Sequence, residues 1–279
     1  LTWDDAEGKN TFWHSSAHLM AEAVENSFPG AKFWVGPALD NGFYYDIDLG
    51  DNKLSEEDLL ILEKKMNELA KQNNSFNRSE RSKADAISYF SEKGDEYKLD
   101  LLQNLEDGNI TFYSQGNFTD LCRGPHIPST GAIKAIKLMS IAGAYWKGDE
   151  KNKQLTRIYG ITFPNQKELD EYLLMLEEAK KRDHRKLAKE LSIYTMDDDI
   201  GQGLVLWMPN GTVIIEELEK LAKETEEAAG YKRVVTPHIA KENLYLTSGH
   251  LPYYADSMFP PMELDGEKYY LKAMNCPHH

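Results

Sequence analysis

Apolar residues Leu19, Met20, Ala23 and Val24 recur on one face of an otherwise polar run. This spacing predicts a helix over 11–28, with Thr11 as its N-cap and Pro29-Gly30 as its stop. The period then shortens. Phe33-Trp34-Val35 and the run from Gly42 to Asp48 are rich in β-formers and flank the turn residues Asp40-Asn41-Gly42, so a hairpin-like pair is expected. Ser55-Glu56-Glu57-Asp58 opens a second helix to about Gln72, its acids placed where they suit the helix dipole. Beyond about residue 84 the pattern predicts short helices, a strand at Ile110-Thr111-Phe112-Tyr113, a loop from Cys122 to His126 that Gly124-Pro125 keeps from being helical, and strand-like pieces up to Gly160. From Gln166 to about Leu191, Leu169, Leu173 and Leu176 stand among many charges, the pattern of a long helical stretch joining domains. A second module begins near Tyr194, with a β-like Leu204-Val205-Leu206-Trp207, a turn at Pro209-Asn210-Gly211, a helix over about 213–229 and a strand from Arg233 to Thr236. The Gly201-Gln202-Gly203 segment reads as a turn, because it lacks the third glycine of a dinucleotide loop and precedes a strand.

A length of 279 residues fits two domains. The net charge of −14 argues against wholesale binding to nucleic acid or an anionic membrane, leaving only a local basic face open. Two cysteines, Cys122 and Cys276, cannot form a disulfide framework, so a reducing, cytoplasmic setting is the default. No window approaches 18 uninterrupted apolar residues and no basic-then-apolar leader is present, so neither a membrane span nor an export signal is expected. Beginning at Leu1 and ending within a patterned run, the sequence reads as a fragment cut at both ends.

His14 and His18 stand at i and i+4 on one helix face, the spacing of paired metal ligands or a paired acid/base site. The residue after His14 is Ser15 rather than Glu, which leaves a metalloprotease mechanism unsupported. Cys122 and His126 add a second soft pair, and the four together make a chemically sensible zinc set. In an isolated His14/His18 pair one histidine can equally cap the helix or line the core, and Cys122 can be a small buried hydrophobe. Asp120 supplies a carboxylate as ligand, supporting group, base or plain loop acid. Between residues 134 and 157, Lys134, Lys137, Lys147, Lys151, Lys153 and Arg157 face only Asp149 and Glu150, a candidate phosphate patch interleaved with Tyr145 and Trp146. His184, His238 and His250 have no partner at ligand spacing and are assigned to surface or packing roles.

Along essentially its whole length the sequence resembles bacterial threonyl-tRNA synthetases. His14-Ser15-Ser16-Ala17-His18 and Cys122-Arg123-Gly124-Pro125-His126 resemble that family's editing-site pair. Gly143-Ala144-Tyr145-Trp146-Lys147-Gly148-Asp149 is similar to the signature shared by threonyl and alanyl editing domains. Gly230 to Pro237 resembles motif 1 of class II synthetases, and Met274-Asn275-Cys276-Pro277 the segment carrying a cysteine zinc ligand of the threonine site. Leu251 departs from the aromatic residue expected after Ser248-Gly249-His250.

The resemblance implies an α+β chain: an editing domain of mixed helices and sheet over 1–160, a helical linker over 161–195, and over 196–279 the start of an antiparallel class II catalytic domain. It implies that His14, His18, Lys98, Asp120, Cys122 and His126 form the editing site. Cys276 would bind the zinc of the synthetic site through partners outside this chain. The full-length enzyme would use ATP with magnesium, threonine and the tRNA for threonine, and pair as a homodimer through motif 1; DNA and membranes have no place. This chain alone would edit but not aminoacylate. Editing has an independent rationale, because the methyl that separates threonine from serine is worth only about 1–3 kcal/mol, roughly 10–200-fold, in one binding site. Two alternatives stay open: a free-standing deacylase acting in trans, and a non-catalytic zinc-stabilised RNA-binding module. Ligand chemistry points to zinc on the four-residue set, whereas the resemblance points to an editing site working with water and no metal.

Overall fold

The computed structural model describes residues 2–106 and 108–278, and the chain divides into two compact units, Leu1–Lys181 and Arg182–His279. The division falls inside the stretch read above as linker.

In the first unit the chain runs α1 (Ala6–Ser27), β1 (Lys32–Phe33), β2 (Ala38–Leu39), β3 (Gly42–Asp48), α2 (Glu56–Lys71), β4 (Asn77–Ser82), α3 (Lys83–Glu92), α4 (Glu96–Gln103), β5 (Asn109–Gln115), β6 (Phe118–Leu121), β7 (Ala135–Tyr145), β8 (Gln154–Phe163) and α5 (Gln166–Lys181). Helix α1 starts five residues before the expected N-cap. Asp5 holds the N-cap position, and the Thr11 hydroxyl instead donates to the Glu7 carbonyl inside the helix at 2.9 Å. Helix α2 begins as expected, with Ser55 and Asp58 forming a reciprocal capping box.

The larger sheet has the order β1-β3-β8-β7, with β2 paired to β3, and every ladder is antiparallel. Helices α1 and α2 cover one face, and the core forms where Leu19 and Met20 of α1 and Leu62 and Met66 of α2 meet Phe43 and Ile158 of the sheet. Helix α5 packs on β7 and β8 rather than standing free. A smaller antiparallel sheet, β4-β5-β6, closes on α3 through Ala86, Phe90, Leu102 and Phe112. Strand β4 (Asn77-Arg78-Ser79-Glu80-Arg81-Ser82) has no apolar alternation and escapes a reading by periodicity; as an edge strand it is held by its ladder to β5.

The second unit contains α6 (His184–Glu190), β9 (Tyr194–Met196), β10 (Val205–Trp207), α7 (Pro209–Ala228), β11 (Ile239–Lys241), α8 (Glu242–Thr247), β12 (Met262–Leu264) and β13 (Glu267–Leu271). Strands β9 and β10 pair across the Gly201–Gly203 turn, and β11-β13-β12 form an antiparallel sheet. Two expectations are corrected here. Pro209-Asn210-Gly211 is the first turn of α7 rather than a turn before it, since Pro at N1 lacks only an amide hydrogen the helix does not use. Arg233 to Thr236 is not a strand: no ladder pairs it, and the strand begins at Ile239. Leu251, the departure from the family pattern, packs with Tyr245 and Tyr270 in this unit's core. With helices and antiparallel sheets in both units, the chain is α+β, as expected.

Candidate active site

Helix α1 presents His14 and His18 one turn apart, and the loop after β6 carries Cys122 and His126 back to them. The four ligand atoms lie within 4.8 Å of one another, and this is the one such group among the described residues. Gly124 allows the loop its path, since it adopts φ +71° with the Tyr113 ring where a side chain would sit. The Tyr113 ring in turn packs against that of His126, which also stacks on the parallel ring of Phe76 and meets the rings of His14 and His18.

Hydrogen bonds set the tautomers. Ser15 Oγ donates to the Thr11 carbonyl at 2.7 Å and accepts from the Ile127 amide at 3.0 Å. Its remaining capacity is to accept, so the His126 Nδ1 that faces it at 3.0 Å carries the proton. The Nε2 lone pair of His126 is thereby turned to Cys122 Sγ, 3.2 Å away. On the other side His14 Nδ1 faces the Gly36 carbonyl at 3.3 Å and Nε2 faces the same sulfur at 3.0 Å. Two imidazoles thus aim basic nitrogens at one thiol. Reading the sequence by residue type passed over Ser15; its position between two candidate histidines was the available signal.

Burial sets the protonation. It lowers the pKa of His14, and it holds His18 well below the ordinary value, helped by the charges of His14 and Lys98. His126 is held down to about 2, by burial first and then by His18 and His14, while burial pushes the Cys122 thiol up to about 12. At neutral pH the cluster is three neutral imidazoles and a thiol. Its N₃S donor set has the chemistry of a zinc site, yet the N···S separations of 3.0 and 3.2 Å are hydrogen-bond lengths. A tetrahedral zinc would hold those atoms about 3.5 Å apart. The single thiol proton can reach only one of the two nitrogens, and the sulfur also accepts from the Gly124 amide at 3.2 Å.

Beside the cluster, Lys98 from α4 meets Asp120 from β6 at 2.8 Å, with side chains only 3% and 4% exposed. Lys98 Nζ also donates to the Trp34 carbonyl at 3.0 Å, and the Tyr45 hydroxyl donates to Asp120. Such a pair is costly to desolvate and is tolerated because each partner is satisfied. Tyr45 was read only as part of a strand, yet its hydroxyl completes this network. His14, His18, Lys98, Asp120 and Cys122 all line one cleft of about 480 Å³.

Not every candidate joins it. Cys276 is exposed at the head of a short turn, Cys276–His278, outside any ligand group of the described residues. The basic patch is corrected: Lys137 pairs with Glu63, Lys147 with Asp100 and Lys153 with Asp48, and Arg157 makes a bidentate pair with Asp46, so acids distant in sequence neutralise most of it. Trp146 packs its ring against Tyr97 and is only partly available for stacking. Of the isolated histidines, His250 bonds Ser248 at 2.9 Å and faces the Met274 sulfur, a packing role.

A family profile described as the threonyl and alanyl tRNA synthetase second additional domain matches residues 110–159, the stretch from β5 to β8 that holds Asp120, Cys122 and His126. The threonine–tRNA ligase of Cytophaga hutchinsonii is 60% identical over 281 residues, covering 100% of this chain and 44% of that protein. That of Porphyromonas gingivalis is 56% identical over 280 residues, covering 99% and 43%. Among solved structures, the RNA binding domain of threonyl-tRNA synthetase from Cryptosporidium parvum Iowa II is 32% identical, with a TM-score of 0.34, over 35% of this chain and 24% of that one. The chain spans less than half the length of these curated relatives. Over all of its own length the chain is therefore similar to the threonine–tRNA ligases, and residues 110–159 of its first unit match the second additional domain that threonyl and alanyl synthetases share.

Proposed function

We propose that the first unit hydrolyses the ester of serine wrongly attached to the tRNA for threonine, as the editing half of an enzyme that uses ATP with magnesium to attach threonine to that tRNA. The observation that carries this reading is the convergence of His14, His18, Cys122 and His126, the first three of which line one cleft with the buried Lys98–Asp120 pair. Residues 1–160 are the editing domain, 161–195 the linker, and 196–279 the opening of the catalytic domain, whose motif 1 would pair two copies of the whole enzyme. That enzyme would work in the cytoplasm and hold zinc through Cys276 and ligands outside this chain; the described residues offer Cys276 no closed site.

In the hydrolysis, water adds to the ester carbonyl carbon, the bond from that carbon to the ribose oxygen breaks, and the ribose oxygen takes a proton. An imidazole kept neutral by burial can accept the water's proton at pH 7 and return it to the leaving oxygen. The Lys98 ammonium, anchored by Asp120 and the Trp34 carbonyl, supplies the fixed positive charge near which negative charge develops on the carbonyl oxygen. Deacylation of seryl-tRNA tests the assignment. His14→Ala and Lys98→Ala should each slow it by about 100-fold or more, the order expected for loss of an acid/base group. Folded variants retaining near-original rates would overturn the roles.

A further inference from the structure

The cleft of about 480 Å³ that holds the cluster is not alone. It shares Leu101, Leu121, Cys122 and Arg123 with a second cleft of about 660 Å³, whose far walls include Leu105 and Ile110. Arg123 lines both. It is exposed, and among the described residues it has no carboxylate partner, unlike Lys137, Lys147, Lys153 and Arg157. Among the described residues the second cleft carries one acid, Glu106. A third cleft of about 690 Å³ shares no residue with the first and sets Lys9 among Asp4, Glu7 and Asp40, an acidic setting for a phosphodiester.

We propose that Arg123 binds the phosphodiester joining the last two nucleotides of the substrate, and that the second cleft takes the penultimate nucleotide. The inference rests on the editing reading and extends it. Along the substrate the groups run aminoacyl ester, terminal nucleoside, phosphate, next nucleoside. Along the protein His14 and His18 lie on the first cleft only, Cys122 and Arg123 at the wall common to both, and Leu105 and Ile110 on the second only. Each cleft falls in the size class that encloses a small organic ligand, about 300–1,000 Å³. The leucine and isoleucine walls offer an apolar face for a base, and a planar guanidinium makes charge-assisted bonds to phosphate oxygens. Arg123 is thus a positioning residue: it touches the phosphate, not the ester being cleaved.

Two esters separate this role from a structural one: 3′-O-seryl-adenosine, which has no phosphate, and the seryl ester of the dinucleotide cytidylyl-adenosine, which has one. The unaltered protein should prefer the dinucleotide ester by about tenfold in kcat/KM, through KM, an order fitting one charge-assisted contact. Arg123→Ala should abolish that preference while kcat on the dinucleotide ester is kept, and Arg123→Lys should restore part of it. The salt dependence of KM for the dinucleotide ester should fall to that of the adenosine ester in Arg123→Ala. Hydrolysis of both esters without preference, or an Arg123→Ala effect equal on the two, would overturn the subsite alone. Hydrolysis of neither by the unaltered protein would overturn the editing reading and the subsite with it.

Discussion

The first unit buries a large continuous apolar core and even an ion pair, whereas the second leaves most of its large hydrophobic residues in contact with solvent. Leu62 in α2 is fully buried, but Leu218 in α7 is 61% exposed, as are Val213, Ile214 and Leu221 along the same helix to similar degrees. The buried core of the second unit is the small group Tyr245, Leu251 and Tyr270. Both units have regular secondary structure, so what separates them is burial. Chemistry follows the same line. A low-dielectric pocket can shift ionisation and hold tautomers, so the perturbed imidazoles and thiol all lie in the first unit, while ion pairs of the second, such as Lys241–Glu267, are exposed.

The largest expected contrast is between the two thiols. With its pKa near 12, Cys122 is thiolate in only about one molecule in ten thousand at pH 8. Iodoacetamide should therefore modify exposed Cys276 about a thousand-fold faster than Cys122 in the folded protein, and both alike in urea. Peptide mass mapping over time reads this directly, and rapid labelling of Cys122 in the folded chain would remove the basis for a closed first unit.

Core truncation should give the next largest effect. Leu62→Ala should destabilise the first unit by about 2–5 kcal/mol, the range for removing a fully buried leucine. Leu218→Ala should change stability by no more than about 0.5 kcal/mol. Urea denaturation of each variant checks the pair, and comparable losses would mean that the face of α7 is covered in solution.

Acid sharpens the comparison more gently. An unfolded histidine titrates near about 6.5, and in the folded chain His126 titrates at about 2, with His14 and His18 also lowered. Between those values the unfolded chain binds more protons than the folded one. Stability from these groups is therefore full above about pH 6.5 and is lost as pH falls below it, by at most about 1.4 kcal/mol per pH unit for each imidazole. Urea midpoints between pH 7 and pH 5 should drop for the unaltered chain and drop less for His126→Asn. Identical slopes would show that His126 is not held neutral by burial.

Several elements were open to reading in one dimension because their causes are local. The Ser55–Asp58 capping box, the apolar stripe of α1 and the turn at Gly201–Gly203 depend on residues within a few positions of one another. Strand β4 was not, since a polar edge strand is defined by its ladder to β5, some thirty positions onward. The segment Arg233 to Thr236 failed in the opposite sense: its Val234 and Val235 favour a strand, but β propensity without a pairing edge does not make one. Likewise the basic run from 134 to 157 was counted correctly as charge, and misjudged as a patch because Glu63, Asp46, Asp48 and Asp100 lie far from it in sequence.

The candidate site divides in the same way. Residue type and spacing alone determined that His14 and His18 share a helix face and that a glycine-proline loop carries Cys122 and His126, because helical period and backbone restriction act over a few residues. Tertiary structure alone decided that these two pairs meet, that Ser15 sets the His126 tautomer, that Lys98 is enclosed with Asp120, and that Arg123 lines two clefts at once. The reason is physical: desolvation, hydrogen-bond satisfaction and charge pairing depend on what surrounds a side chain in space, and the chain brings those neighbours together from positions 22 to 111 residues apart.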